Sequence, residues 1–257
     1  MSPISIPGKV TLRQQSVDFW TPADITTALW LDAEDASSFT LDGTSVDQWR
    51  DKSGNSRHAS ASSTARPVYA STGFNGKPTV QFDGVNDQLD LVQFAQAGGQ
   101  NIFAVIDTAD IGTTYRLFLN RTGASASNLA IYLGGSASYR PMVYWDGGDR
   151  SPWGVDIQRK AIFRWSFYTG SPASALTQVD GATAVTSTCN GTLLTSWSSI
   201  CLASTQQPDI DLSELIITPT DPSTATRQKI EGYLAHKWGL IANLPSDHPY
   251  KTGAPTT

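Results

Sequence analysis

The sequence has few charged residues, and those it has are dispersed. Only 16% of its 257 residues are Asp, Glu, Lys or Arg, against about a quarter in an average globular domain. The formal net charge is −5, and no four Lys or Arg residues are neighbours. Binding to nucleic acid or to an anionic membrane needs a concentrated positive field. Neither nucleic acid nor a membrane is therefore a predicted partner.

Long hydrophobic runs are also absent. No apolar stretch reaches the roughly 18 residues that a transmembrane helix needs. The first thirty positions are interrupted by Pro3, Pro7, Arg13 and Asp18, where a secretion signal requires an unbroken apolar segment. We therefore expect no membrane insertion and no general secretion signal.

Cysteine is scarce, with only Cys189 and Cys201 in the chain. Their spacing fits cross-strand neighbours around a hairpin if the compartment is oxidising, but two buried thiols are the favoured interpretation because no export signal is predicted. A disulfide therefore stays an open alternative. No C-x-x-C pair or Cys/His cluster is present, so structural zinc is not predicted.

Short apolar segments separated by turn signals make up most of the chain from Ala28 onward. Segments such as FAVID, MVYW and IFRWSFY are rich in aromatic and β-branched residues, which is typical of strands. Asp180-Gly181 between two such segments predicts a type I′ hairpin turn. Many short strands without intervening helices predict an all-β, two-sheet antiparallel sandwich.

A single helix is predicted near the carboxyl end, over about 223–238. Ser223 is its expected N-cap and Gly239 its stop. Apolar residues at helical spacing, which should dock on the β core, include Tyr233 and Trp238. The basic residues on the same helix, Arg227, Lys229 and Lys237, are predicted to form a solvated face.

The domain is predicted to span 28–251, with tails on both sides. Residues 1–27 contain three prolines and little apolar periodicity, which indicates an extended arm whose anchors on a partner are Phe19 and Trp20. Residues 252–257 form a short C-terminal tail. Four tryptophans inside periodic segments are predicted to be core residues: Trp30, Trp49, Trp165 and Trp238.

Both ends of this domain resemble a known family. The segments are ALWLDAEDASSFTLDG at 28–43, SVDQWRDKSGNSRHA at 45–59, NGKPTVQFDGVNDQLDL at 75–91 and RQKIEGYLAHKWGLIANLPSDHPYK at 227–251. They resemble laminin-G-like, concanavalin A-like lectin/glucanase domains, in the versions found in tailed-phage structural proteins and some bacterial surface proteins. The resemblance implies a jelly-roll sandwich, and roles in sugar binding, adhesion or particle architecture more often than in catalysis.

Catalytic patterns are not found. A retaining glycosidase needs two carboxyl groups about 5 to 5.5 Å apart, and the E-x-D-x-x-E pattern of laminarinase-type relatives is absent. The nearest acidic clusters are 32–35, interpreted as solvated turn carboxylates, and Asp209 and Asp211 with Glu214. No G-x-S-x-G elbow accompanies His58, His236 or His248. The chain is predicted not to be an enzyme, with a glycoside hydrolase as the least favoured alternative.

One hairpin and loop offers a candidate carbohydrate site. A sugar ring stacks on an aromatic side chain while polar groups bind its hydroxyls. The candidate residues are Tyr139, Arg140, Tyr144, Trp145, Asp146, Asp149, Arg150 and Trp153. In the alternative interpretation Trp145 is a core residue and Trp153 a loop anchor.

No cofactor is predicted, and calcium is the open alternative. Lectin-like sandwiches hold calcium with loop oxygens, which Asp83, Asn86 and Asp87 or Asp146 and Asp149 could supply. Asp and Asn beside Gly are also what any tight turn uses, and that interpretation is favoured.

The favoured function is a non-enzymatic structural or decoration protein of a tailed-phage virion, assembled in the host cytoplasm. Its predicted partners are capsid or tail proteins and copies of itself, with host-surface carbohydrate as a further ligand. The alternative is a carbohydrate-binding module or adhesin on a bacterial surface.

Overall fold

Seventeen strands and one α-helix form the described part of the chain. The computed structural model describes residues 18–95, 99–108, 117–121, 130–133, 141–145, 148–150, 157, 159–168, 173–189, 196–201 and 207–257. The strands are β1 Leu29–Asp32, β2 Phe39–Asp42, β3 Ser45–Trp49, β4 Ala59–Ser60, β5 Val68–Phe74, β6 Lys77–Asp83, β7 Leu89–Ala95, β8 Asn101–Asp107, β9 Leu117–Arg121, β10 Ala130–Tyr132, β11 Met142–Trp145, β12 Gly148–Arg150, β13 Lys160–Tyr168, β14 Ala173–Val179, β15 Val185–Cys189, β16 Ser196–Ile200 and β17 Asp209–Thr218. The helix α1 spans Thr224–Trp238, and short 3-10 helices cover Pro22–Asp24, Ala36–Ser38, Ser63–Ala65 and Ile241–Asn243.

The strands form two layers joined by β5. The front sheet runs β17-β8-β13-β14-β15. At the other edge of β17, β6 pairs with residues 209–212 and β1 pairs with residues 214–217. The back sheet runs β2-β3-β4-β7-β16-β9-β10-β11-β12. All pairings among the described strands are antiparallel. The predicted all-β antiparallel jelly-roll sandwich with one helix is confirmed.

Aromatic side chains fill the space between the two sheets. The ring of Trp165 stacks on Phe163 with 5.6 Å between centroids and lies 5.7 Å from Phe118 in the back sheet. Phe167 lies 6.1 Å from Trp197 of β16. The four tryptophans predicted to be core residues are all buried, so this prediction is confirmed.

The centre of the front sheet is buried on both faces. Every position from 161 to 167 in β13 is buried, because one face packs on the back sheet and the other lies under α1. Tyr233 and Trp238 dock on the β core as predicted, with Trp238 edge-to-face on Phe74 at 6.0 Å. Two-sided burial explains the unbroken apolar run IFAVI in β8, and it buries Arg164 and Ser166 of β13 as well.

The predicted helix ends are confirmed, and the turn at Asp180-Gly181 is present, but it does not close the predicted two-residue hairpin. The Ser223 side chain accepts a hydrogen bond from the Thr226 N–H, and Gly239 ends α1 with a φ of 70°. Asp180 and Gly181 both have positive φ, as a type I′ turn requires. The pairing of β14 with β15 starts only at Thr177 and Val185.

The two ends of the described chain meet beside α1. Trp20 is 4% exposed, donates its N–H to the Pro255 carbonyl at 3.0 Å and packs edge-to-face on Tyr233. Phe19 forms an isolated bridge with Thr256, and its side chain is 63% exposed. Trp20 therefore packs within its own fold, whereas Phe19 presents an apolar surface to solvent.

Two further predictions from the sequence concern the cysteines and membrane-spanning helices. Cys201 carries a free, buried thiol whose pKa is raised well above its ordinary value by burial; the side chain of Cys189 lies outside the described part. Among the described residues, none of the helices has the length and apolar character to cross a membrane.

Candidate binding site

The hairpin and loop predicted to bind sugar is described only in part. The backbones of four of its residues lie in β11 and β12, with the cross-strand pairs Tyr144–Asp149 and Val143–Arg150, and Trp145 opposite Gly148. The other four candidates lie outside the described residues: Tyr139, Arg140, Asp146 and Trp153. This site stays a prediction from the sequence.

The described residues form a polar cleft at the end of the front sheet where β6, β8 and β17 lie side by side. Its volume is about 410 Å³. We call it the acidic cleft, because five of its lining residues are aspartates. It is lined by Val68, Gln81, Phe82, Asp83, Asp87, Asp107, Asp209, Ile210 and Asp211.

Strand register brings these aspartates together. Asp211 lies opposite Asp107 of β8 on one side and opposite Gln81 of β6 on the other. Asp209 lies opposite Asp83 in the next row. Cross-strand neighbours with like charges destabilise a sheet, so stability does not explain this arrangement. Local conflicts of this kind are expected at functional sites.

Burial and mutual repulsion perturb the carboxyl groups of the acidic cleft. Burial raises the pKa of Asp87 to about 6, although its Oδ2 accepts the Asp83 N–H at 3.0 Å. Burial also raises the pKa of Asp211, and the nearby Asp107 adds to the rise. No Lys or Arg is among the described lining residues. Lys160, which is not a lining residue, lies 3.9 Å from Asp107 Oδ2 and opposes the rise in the pKa of Asp211, so it offsets part of the negative charge of the five aspartates.

The turn after β6 uses its carboxylates to hold its own backbone. Asp83 Oδ1 accepts the N–H of Val85 at 2.8 Å and of Asn86 at 3.2 Å. The side chain of Asn86 donates to the Thr64 carbonyl. Within the described ranges, no group of three or more His, Cys, Asp or Glu residues could hold a metal ion. This geometry fits the turn interpretation better than the calcium alternative, whose other residues, Asp146 and the side chain of Asp149, lie outside the described part.

Replacing Asp87 by asparagine is expected to change the pH dependence of folding stability. The carboxyl pKa is about 6 in the folded chain and about 3.9 in an unfolded one. The stabilising contribution of protonated Asp87 is therefore fully present below about pH 4 and is lost as the pH rises towards 6. The free energy of unfolding of Asp87→Asn, measured in urea from pH 4 to 7, should fall less over this window than that of the wild type. Parallel curves for the two proteins would contradict this interpretation.

A second group of charged residues is buried between the front sheet and α1. We call it the lysine–acid cluster, formed by Asp32, Lys52, Glu214 and Lys237. Glu214 is fully buried, and Lys237 Nζ lies 2.8 Å from its Oε2. Asp32 Oδ1 lies 2.6 Å from Lys237 Nζ, and its Oδ2 lies 2.9 Å from Lys52 Nζ.

Two sequence predictions are wrong at this cluster. Asp32 is not a solvated turn carboxylate, because it ends β1 directly opposite Glu214 of β17, under the helix. Lys237 is not on a solvated face, because its side chain is only 12% exposed and points at these acids. Glu34 and Asp35, the rest of the acidic run, do face solvent at least in part.

Aromatic side chains surround Glu214. Its Oε1 accepts the Trp30 Nε1–H at 2.8 Å and the Tyr233 hydroxyl at 3.0 Å. Its Oε2 accepts the Trp238 Nε1–H at 2.6 Å. Burial raises the pKa of Glu214, and Lys237 opposes that rise. Neither Glu214 nor Asp32 lines the acidic cleft.

A second cavity of about 330 Å³ lies between α1 and the β14–β15 turn. Its polar side chains bond mainly to one another. Arg164 Nη1 donates to Gln178 Oε1 at 2.8 Å, and buried Glu231 pairs with Arg227 at 2.8 Å and His248 at 3.2 Å. Because these groups satisfy one another, the acidic cleft is the stronger candidate for ligand binding.

Two of the three histidines contact backbone atoms, and the third contacts the side chain of Glu231. His58 Nδ1 accepts the Asp51 N–H at 3.1 Å, and His236 Nε2 contacts the Tyr250 carbonyl at 2.8 Å. His248 contacts Glu231 as described above. The structure thus places each of the three candidate triad histidines in a structural contact.

Known proteins resemble this chain in structure. No family model and no curated protein sequence matches it. The sialidase of Trypanosoma rangeli in complex with 2,3-difluorosialic acid is 11% identical with a TM-score of 0.54, covering 82% of this chain and 33% of the sialidase. The receptor binding domain of botulinum neurotoxin type G is 9% identical with a TM-score of 0.52, covering 78% and 49%. The binding domain of Paraclostridial Mosquitocidal Protein 1 is 12% identical with a TM-score of 0.53, covering 80% and 52%.

This chain therefore spans about a third to a half of each chain that it resembles. At such low identities the similarity concerns the fold and gives no information about binding or catalytic sites. The chain has the antiparallel β-sandwich fold of these lectin-like and glycosidase-like structures.

Proposed function

We propose that this chain is a non-catalytic, carbohydrate-binding β-sandwich carried on the particle of a tailed phage. The acidic cleft is the observation that carries the binding proposal. Carboxylate oxygens accept hydrogen bonds from sugar hydroxyls, and the Gln81 amide both donates and accepts. These groups lie at one end of a rigid sheet, in an open space large enough for a sugar residue.

The charge of the acidic cleft favours neutral sugars. The sialidase structures bind sialic acid and its analogues, and sialic acid is an anion. Five aspartates without a lining Lys or Arg would repel such a ligand. We therefore propose a neutral host-surface glycan as the ligand of this cleft.

The same residues support a role without catalysis. A glycosidase needs one carboxylic acid that reaches the glycosidic oxygen and a second carboxylate across the bond. Asp87, whose pKa is raised to about 6, is nearly fully buried and is bonded to the backbone of Asp83. The carboxylates of Asp32 and Glu214 are buried and form ion pairs with Lys52 and Lys237.

The virion role is supported by the segments that resemble phage structural proteins. These segments pack on one another, with the Asn75 side chain bonded to the Trp238 carbonyl at 2.9 Å and Lys77 paired with Glu34 at 2.6 Å. The exposed Phe19 beside the C-terminal tail offers an apolar contact for a neighbouring capsid or tail subunit or a second copy.

Replacing Asp209 and Asp211 together by asparagine is expected to weaken glycan binding at least about tenfold, because hydrogen bonds to charged groups contribute about 1.5–3 kcal/mol each. Wild type and variant are compared on an array of neutral and acidic glycans, and the hits are titrated by calorimetry. Asp18→Asn makes the same chemical change outside the cleft and should bind as the wild type does. Equal binding by the cleft variant would reject the cleft as the site.

Cryo-electron microscopy of the native assembly tests the virion role. The proposal expects copies of this sandwich at regular positions on a head or tail, with Phe19 against a neighbour. Recovery of the chain on a bacterial cell surface, separate from any particle, would favour the adhesin alternative instead.

A further inference from the structure

The lysine–acid cluster places an amine against a carboxyl group inside the protein. Lys237 Nζ lies 2.6 Å from Asp32 Oδ1 and 2.8 Å from Glu214 Oε2. We propose that Lys237 Nζ condenses with the Asp32 side chain to form an intramolecular isopeptide bond, and that Glu214 carries the protons.

The fold holds the three reacting groups in fixed positions. Asp32 and Glu214 are cross-strand neighbours in β1 and β17, and Lys237 reaches them from the last turn of α1. Reacting groups held in contact gain effective molarities of about 10⁵–10⁸ M over free reactants. Uncatalysed condensation of an amine with a carboxylate is slow, and this site supplies the positioning that it lacks in water.

Burial keeps water away from these groups. The side chains of Lys237, Asp32 and Glu214 are 12%, 7% and 0% exposed. The amine becomes the nucleophile once Glu214 has accepted a proton from it. The three hydrogen bonds that Trp30, Tyr233 and Trp238 donate to Glu214 hold it beside the amine.

The proposed reaction balances without any co-reactant. The Lys237 ammonium passes one proton to Glu214, and its lone pair then attacks Asp32 Cγ to form the C–N bond. Nζ loses a second proton through Glu214, and both protons end on Asp32 Oδ1. The Cγ–Oδ1 bond breaks and one water molecule leaves, while Nζ keeps one hydrogen as the amide N–H.

Lys52 has a different role in this scheme. Its Nζ lies 2.9 Å from Asp32 Oδ2 and 3.0 Å from Asp35 Oδ2, and its side chain is 25% exposed. A more solvated amine between two carboxylates stays an ammonium ion. It is therefore placed to stabilise the negative charge that develops on Oδ2 when Nζ attacks.

Mass spectrometry of the purified wild-type chain tests the proposal. The intact mass should be lower than the sequence mass by one water molecule. Trypsin should then release a branched product joining 14–50 to 230–251, because an acylated Lys237 is no longer cleaved. An intact mass equal to the sequence mass, with 14–50 and 230–237 recovered as separate peptides, would overturn the proposal.

Variants assign the roles. Lys237→Arg and Glu214→Gln should both restore the full sequence mass, the first by removing the nucleophile and the second by removing the proton carrier. Lys229→Arg makes the same change outside the cluster, where Lys229 Nζ donates to the Thr256 carbonyl at 2.9 Å, and should keep the link. A link from Asp32 to Lys52 instead of Lys237 would overturn the assignment, and the wild-type measurement decides the matter even if a variant fails to fold.

Discussion

Replacing Trp165 by alanine is expected to lower the free energy of unfolding by about 3–5 kcal/mol. The side chain is fully buried between the sheets, stacked on Phe163 and in contact with Phe118. Its removal leaves a cavity that both layers line and that neither sheet can close alone. Urea denaturation followed by circular dichroism measures the loss.

Trp165→Phe is the matched control. It keeps an aromatic ring between the sheets, and the indole N–H that it removes has no hydrogen-bond partner among the described residues. Its cost should therefore be clearly smaller than that of the alanine variant. Equal costs would contradict the interpretation that ring packing, rather than any local feature of β13, holds the two sheets together.

Replacing Lys237 by methionine is expected to lower the free energy of unfolding by about 3–5 kcal/mol, because buried Glu214 then loses Lys237 Nζ as its partner, whether as the ammonium ion or as the amide N–H of the proposed link. Among the described residues, Lys237 is the only lysine paired with Glu214, so the variant offers no replacement partner. Thermal and urea unfolding of the variant would show the loss.

Neutralising the acids tests the reason for that cost. Replacing Asp32 by asparagine and Glu214 by glutamine in the Lys237→Met background removes the unpaired charges and should recover part of the stability. If this triple variant is no more stable than Lys237→Met, the cost does not come from uncompensated burial of Glu214 and Asp32.

The sequence predicted the fold well because the signals for strands, turn and helix are local. Aromatic and β-branched runs identify β8, β11 and β13, and Asp180-Gly181 identifies a turn that needs two positive φ angles. Ser223 and Gly239 set the ends of α1 through their own backbone and side-chain chemistry.

The candidate site depends on register, which the sequence does not show. Asp211 becomes a neighbour of Asp107 and Gln81 only when β17 is placed between β8 and β6. Asp211 is 130 positions from Gln81 in the sequence and more than a hundred from Asp107. Five separate aspartates therefore looked like ordinary turn and strand-end residues.

The lysine–acid cluster was missed for a related reason. An acidic run such as DAED after a strand is typical of a solvated turn, and that description fits Glu34. Asp32 differs because α1 covers the outer face of β1, and only the tertiary structure brings Lys237 to it. A basic residue near the end of a helix is usually interpreted as solvated. Lys237 is an exception because the helix face that it shares with Tyr233 and Trp238 is buried.

Calorimetric titration of the wild type with neutral oligosaccharides, combined with product analysis of the same samples, tests whether the acidic cleft binds sugar without cleaving it. We expect saturable binding that is weakened at least about tenfold in the Asp209→Asn, Asp211→Asn variant, with the oligosaccharide recovered intact. Cleavage of the sugar by the wild type, or binding that is unaffected in the variant, would contradict it.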